Sequence, residues 1–176
     1  MTQKVIILRG APASGKTTLA KSYRNFDKKV AWLKVDNFKD FFAEDATSAL
    51  EFVNGSASAT LEYLLNQGFS VVVDGIFQDT RAIDEMLSIA NRKSIAVKVF
   101  ELSVSLETLN QRDNQREGVP EGLRKPLGAD AITQIYSTLK SNSYPNSIQL
   151  DTEHNSIDKC KIIIDKTFET ENINNL

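Results

Sequence analysis

The chain has 176 residues, 41% of them hydrophobic and 25% charged, the make-up of an ordinary globular protein long enough to bury a core without staples. Lysine plus arginine number 21 against 23 aspartate plus glutamate, a net charge of −2, so no general attraction to nucleic acid follows and any affinity for phosphate must come from a local site. The single cysteine, Cys160, and single histidine, His154, exclude an internal disulfide, a Cys-rich zinc site and a multi-histidine metal centre, and leave only a loop-like His154 as base for a Ser-His-Asp triad.

Along the chain, strand-like and helix-like segments alternate. Lys4–Arg9 is an aliphatic strand stopped by Gly10, followed by a helix over Lys16–Phe26. Val30–Val35 reads as the second strand and Phe38–Phe42 as a short aromatic helix. Ala46, Leu50, Val53, Ala57, Leu61 and Leu64 repeat at three- and four-residue spacing, predicting a long helix that runs to Gly68 at C′, with Gly55 a point where it could divide in two. Phe69–Val73, hydrophobic throughout, is expected to be the central strand. Helix Thr80–Asn91, strand Ile95–Leu102 and a polar helix from Leu106 to about Glu117 follow, then a Gly/Pro-rich loop over Gly118–Gly128. Helix Ala129–Lys140, strand Ser147–Leu150 and helix Ile157–Phe168 complete the pattern, with Asn172–Leu176 expected to fray. The alternation predicts one α/β domain over residues 1–176, a five-stranded parallel sheet with helices on both faces. The longest aliphatic runs, such as Val5–Leu8, are too short to span a bilayer, and Met1–Lys4 leads into no long apolar signal region, so no membrane partner and a cytoplasmic location are expected.

Residues Gly10-Ala11-Pro12-Ala13-Ser14-Gly15-Lys16-Thr17 match G-x-x-x-x-G-K-[ST] at every defined position, between a predicted strand and a predicted helix. The glycines let the chain turn tightly so that backbone N–H groups meet phosphate oxygens, and the following helix turns its positive end to the same anion. Gly10, Ala11, Pro12, Ala13, Ser14, Gly15, Lys16, Thr17 and Thr18 are therefore the expected nucleotide-binding residues, with Lys16 on the β/γ-phosphates and Thr17 offering its hydroxyl to Mg²⁺.

Asp36 ends Leu33-Lys34-Val35-Asp36 and Asp74 ends Val71-Val72-Val73-Asp74; at the carboxyl ends of strands both should face the crevice of the phosphate loop. Asp36 is equally suited to cap the following short helix, and Asp74 to start a turn before Gly75. As a hard oxygen donor Asp74 suits Mg²⁺. Arg112 and Arg116 lie one helical turn apart, where an anion between them would relieve their repulsion, although Asp113 offers Arg116 a local partner. Arg124 and Lys125 belong to a segment, 112–128, that is a candidate lid. Arg81 either binds an anionic group of a substrate or pairs with Asp84 or Glu85. Phe38, Phe41, Phe42 and Phe77 are candidate pocket residues or plain core, and Cys160 sits on an apolar helix face as packing.

The chain lacks the Asn-Lys-x-Asp string of guanine-reading switches, the nearest being Asn37-Phe38-Lys39-Asp40, and Asp74 is followed by Gly75 where motor ATPases place a water-polarising glutamate. Phosphoryl transfer to an acceptor other than water remains. The ordered set of Gly10–Thr17, Asp36, Val71–Asp74 with Arg81, Arg112 with Arg116, and more weakly Ser147–Thr152, resembles the small P-loop kinases that include zeta toxins, chloramphenicol phosphotransferase and the 5′-hydroxyl kinase domain of bacteriophage polynucleotide kinase. The resemblance implies a nucleoside-kinase-like strand order and ATP and Mg²⁺ as cofactors. It makes Lys16, Asp36, Arg112 and Arg116 catalytic: Asp36 orients or deprotonates the acceptor hydroxyl, and the arginines clamp the transferring phosphate, one of them stacking on adenine. Thr17 and Asp74 become the metal side, and Asp36, Asp74 and Arg81 the acceptor side. Asp74-Gly75-Ile76-Phe77 is also similar to the Asp-Gly-Phe-Pro-Arg segment of adenylate kinases, without its Pro-Arg. The expected activity is transfer of the γ-phosphate of ATP to a hydroxyl of a small molecule. A polynucleotide 5′ end or a nucleotide sugar is an alternative acceptor, and a non-catalytic ATP-binding signalling module is an alternative of another class. Neither the acceptor nor the oligomeric state is legible.

Overall fold

The computed structural model describes residues 2–42, 49–116 and 126–173. In chain order the elements are β1 (Lys4–Arg9), α1 (Lys16–Phe26), β2 (Val30–Lys34), a 3-10 helix (Val35–Phe41), α2 (Ala49–Asn66), β3 (Ser70–Gly75), α3 (Arg81–Arg92), β4 (Ala96–Ser103), α4 (Leu106–Asn114), α5 (Ala129–Ser141), β5 (Ile148–Asp151) and α6 (Ile157–Ile173). The strands lie in the order β2-β3-β1-β4-β5, with every pairing parallel. Parallel neighbours need long crossovers, and the helices supply them.

Side chains alternate across the sheet with a period of two, and both sides are apolar. Val5, Ile7, Val71, Val73 and Val99 pack under α2 and α3 against Val53, Ala57, Leu61, Ile83 and Met86. Ile6, Leu8, Val72, Phe100 and Leu102 pack under α1 and α6 against Leu19, Ala20, Cys160 and Ile164. Full burial of each such aliphatic side chain is worth about 1.5–3 kcal/mol, which makes the sheet a rigid base for what stands at its carboxyl edge. A smaller cluster joins Ala11 of the loop after β1 to Val104, Leu109 and Ile132, fastening α4 and α5 over that edge.

Several expectations are corrected. The central strand is β1, with β3 beside it: an apolar run marks an interior strand but does not say which one. The second strand ends at Lys34, because Val35 enters the 3-10 helix while keeping its side chain in the core. Helix α2 is unbroken at Gly55, where a side chain would meet no neighbouring atom, so the glycine marks an open face rather than a hinge. Its end follows the sequence: Gly68 takes a left-handed φ of 79°, and the N–H groups of Gly68 and Phe69 donate to the carbonyls of Leu65 and Leu64, the two bonds of a Schellman cap. Helix α4 ends at Asn114 and α6 extends to Ile173, so Asn172 lies within the helix; Asn174 to Leu176, like Arg124, Lys125 and most of the candidate lid, fall outside the described residues. No helix among the described residues is long and apolar enough to cross a membrane.

Candidate active site

The loop Gly10–Gly15 leaves the central strand and turns directly into α1. Gly15 adopts φ 95°, a left-handed conformation that disfavours any side chain, and Ala13 is held at φ 64°. Gly10 is required for a different reason: a Cβ there would sit 2.8 Å from Ser14 Oγ and 3.2 Å from Leu102 Cβ. Helix α1 opens with no side-chain cap and no acidic residue in its first turn. Its first N–H groups have no intrahelical acceptor, so the loop and helix together form a concave array of donors suited to phosphate.

Lys16 lies buried at the centre of this array. Its ammonium donates to the carbonyls of Gly10 (2.9 Å) and Ala11 (2.8 Å) and to Ser14 Oγ (3.3 Å). Burial pushes its pKa down; Asp74 and then Asp36 pull it back up, while Arg116 and Lys34 reinforce the lowering. Four charges from three parts of the chain thus act on one amine. Thr17 Oγ1 donates to Asp74 Oδ2 at 2.6 Å, and Asp74 is buried at the end of β3, in register with Leu8 of β1 and Lys34 of β2. A buried carboxylate beside a hydroxyl is a hard-oxygen pair that fits Mg²⁺; among the described residues no cluster of three His, Cys, Asp or Glu could cage a metal.

Asp36 stands in the first turn of the 3-10 helix rather than at its cap, a position held by Lys34, so the capping alternative is corrected. Its carboxylate pairs with Lys39 at 2.7 Å, one 3-10 turn away, and is largely buried. Arg112 and Arg116 take different partners. Arg112 Nη2 donates to the carbonyl of Thr152 (2.9 Å), just past β5, and Thr152 Oγ1 donates to the carbonyl of Ser14 in the phosphate loop (2.7 Å). Arg116 pairs with Asp113 at 3.2 Å. Asp113, 1% exposed, also accepts the N–H groups of Leu127 (2.8 Å) and Gly128 (3.1 Å), tying the end of α4 to the approach of α5.

The remaining candidates are placed elsewhere or packed. Arg81 is 89% exposed and bound to Asp79 through its backbone N–H and guanidinium, not to Asp84 or Glu85; Asp84 instead accepts the hydroxyl of Tyr144. Phe77 is buried in the core, and Phe38 and Phe42 pack against the same cluster. Phe41 is 77% exposed, and Phe42 stacks on Phe52 with centroids 5.9 Å apart. Cys160 is buried packing, and burial raises its thiol pKa.

Two supports were not read from the sequence. One is the tie from Asp113, anticipated only as a partner of Arg116, to the N–H groups of Leu127 and Gly128. The other is Glu153, which accepts from the N–H and hydroxyl of Ser105, the N-cap of α4, and from Thr108 Oγ1, pinning the turn after β5 to the start of α4. The signal available was only a serine before a helix. Hydrogen bonds from Thr108 and Ser105 hold the Glu153 carboxyl down from the ordinary 4.5 to about 2. A folded pKa below the unfolded one contributes stability above pH 4.5 that disappears as the pH falls toward 2. Glu153→Gln is expected to flatten the acid limb of Tm against pH across that window; an unchanged slope would show that Glu153 carries no such linkage.

A family model described as an AAA domain, AAA_33, matches residues 5–138. No curated protein matches the chain. Among solved structures, the Pnkp1/Rnl/Hen1 RNA repair complex is similar at 21% identity and TM-score 0.64, over 83% of this chain and 47% of that one, so the chain spans about half its length. The tunicamycin resistance protein of Deinococcus radiodurans is similar at 14% identity and TM-score 0.64, over 94% and 95% of the two chains. The APS kinase CysC of Mycobacterium tuberculosis is similar at 15% identity and TM-score 0.58, over 93% and 96%. At these identities the likeness is one of fold: a five-stranded parallel P-loop kinase-like architecture.

Proposed function

Because the chain belongs to the AAA domain family AAA_33, with a P-loop kinase-like fold, we propose that it is an ATP-dependent kinase that transfers the γ-phosphate to a hydroxyl of a small molecule. The observation that carries this reading is the buried Lys16 ammonium seated in the loop Gly10–Gly15, with the next residue, Thr17, donating its hydroxyl to the buried Asp74 at 2.6 Å. It sets a phosphate-binding cation beside a metal-side hydroxyl and carboxylate, while Asp36, ion-paired with Lys39, and Arg116 bear on the same ammonium electrostatically.

In this reading the amides of Gly10 to Thr18 and the Lys16 ammonium hold the triphosphate, withdrawing from the loop carbonyls to do so. Thr17 and Asp74 would hold Mg²⁺, which would supply positive charge to offset the negative charge of the phosphates. Asp36 accepts a hydrogen bond from the acceptor hydroxyl, aligns its oxygen with the γ-phosphorus and takes its proton. Arg116, with Arg112 anchored on Thr152, stabilises the negative charge spread over the transferring group. Residues 112–128 act as a lid on a single kinase domain, and exclusion of water by such a lid favours the alcohol as acceptor. The net negative charge of the chain supports a small molecule over a polynucleotide end.

The test is ADP release from ATP and Mg²⁺ with a panel of acceptors: uncharged alcohols, nucleosides, sugar nucleotides and 5′-hydroxyl oligonucleotides. Stimulation by a small alcohol, absent in Lys16→Met, is the expected result. Stimulation by oligonucleotides or sugar nucleotides alone would move the assignment to those acceptors. Tight ATP binding without stimulation by any of them would leave a signalling module in place of an enzyme.

A further inference from the structure

Between the phosphate loop, β4 and α5 lies a cavity of about 260 Å³ whose lining includes none of Thr17, Asp74 and Asp36. Its walls include Gly10, Ala11 and Ser14 of the loop on one side and Leu109, Tyr136 and Leu139 on the other. We propose that this cavity binds a small monoanion with an aromatic or aliphatic body, and that its occupant tunes nucleotide affinity through the back of the loop.

The chemistry of the lining defines the ligand. The floor is the Arg9–Glu101 ion pair, whose charges are spent on each other and on neighbours: Arg9 donates also to the carbonyls of Phe77 and Asn142, and Glu101 accepts from Ser143, Ser147, Gln149 and the N–H of Tyr144. The floor therefore presents no net charge. The walls above it are chiefly apolar and suit a hydrocarbon body. Charge enters at the rim, where the exposed Lys140 holds its ammonium 5.6 Å from the centre of the Tyr136 ring. A carboxylate reaching the rim meets that ammonium while the ring system stays below.

Coupling to the nucleotide side runs through Ser14. The residue lines the cavity, its hydroxyl accepts from Lys16 and its carbonyl accepts from Thr152, which in turn holds Arg112. Gly10 has no spare room between Ser14 and Leu102, so the loop backbone is part of the cavity wall, and a molecule packed there restrains the loop. A restrained loop binds phosphate with less ordering cost, and linkage makes the effect reciprocal.

The experiment uses 2-naphthoate, whose roughly 13 heavy atoms suit a pocket at the small end of ligand sites, titrated into the whole protein by its fluorescence with and without ADP. Saturable one-to-one binding is expected, with Kd on the order of 0.1–1 mM, weakened about tenfold or more in Leu139→Trp, which fills the cavity, and severalfold in the surface variant Lys140→Gln. ADP should bind about fivefold more tightly with naphthoate present, and naphthoate correspondingly with ADP. Absence of saturable binding, or binding untouched by both variants, overturns the site. Mutual exclusion of naphthoate and ADP overturns it as well, since it puts the probe on the nucleotide face. Binding that leaves ADP affinity unchanged overturns the coupling.

Discussion

Asp36→Asn is expected to lower acceptor-stimulated turnover by about 100- to 10,000-fold while ATP binding stays nearly unchanged. That loss corresponds to roughly 3–5 kcal/mol of transition-state stabilisation at 1.36 kcal/mol per tenfold. Asparagine keeps the size and planarity of the side chain, so the 3-10 turn and its packing through Val35 persist. What disappears is the anion proposed to orient the acceptor hydroxyl and take its proton. Because Asp36 stands beyond β2 and the triphosphate array beyond β1, kcat should fall without a matching rise in the ATP dissociation constant. Lys39→Ala is the companion variant: it removes the partner 2.7 Å from Asp36 but leaves the carboxylate, and a partly exposed pair is worth only about 0–1 kcal/mol. Full turnover by Asp36→Asn would reject the role given to this carboxylate, whatever the acceptor.

Arg9→Met is expected to destabilise the folded protein by about 3–5 kcal/mol, the usual consequence of leaving one charge of a buried pair without its partner. For a chain of this size each kcal/mol moves Tm by about 2–4 °C, so thermal unfolding should fall by roughly 6–20 °C. Arg9 is 1% exposed and its guanidinium joins three segments: Glu101 on β4, the carbonyl of Phe77 after β3 and the carbonyl of Asn142 after α5. Burial lowers its pKa, the direction expected for a cation withdrawn from water. Glu101→Leu should cost at least as much, since it strands both Arg9 and the hydroxyls of Ser143 and Ser147. The double variant Arg9→Met/Glu101→Leu should lose clearly less than the sum, because no uncompensated ion remains. A loss under about 1 kcal/mol for Arg9→Met, or strict additivity in the cycle, would show that the pair does not clamp the carboxyl edge of the sheet.

The phosphate loop was legible because all of its chemistry lies within one stretch, Gly10–Thr17, whose glycines, lysine and threonine each answer to a local requirement of turn geometry or charge. The helix end at Gly68 was legible for the same reason, and the Schellman bonds appear where the glycine stands. Asp36 was harder. Its electrostatic pull on Lys16 accords with its place after a strand, but the sequence put it at a strand end, and a valine that looks like strand is also content with its side chain buried beneath a 3-10 turn. The local partner of Arg81 was misread, because Asp79, two residues before it, competes more closely than Asp84 or Glu85. Arg9 drew no notice: it closes an aliphatic run, and a lone arginine before a glycine reads as the solvated end of a strand.

From sequence alone come the α/β alternation, the phosphate loop with its lysine and threonine, and the acidic residues at the carboxyl ends of β2 and β3, because periodicity and turn chemistry act between residues a few positions apart. The tertiary structure alone decides that β1 is central, that Thr17 meets Asp74 across 57 positions and that Arg9 faces Glu101 across 92. Those outcomes depend on strand order and parallel register, in which Arg9 and Glu101 are direct partners. Equally apolar strands can exchange places without any change in local pattern, so it is the packing of whole elements against one another that selects the arrangement.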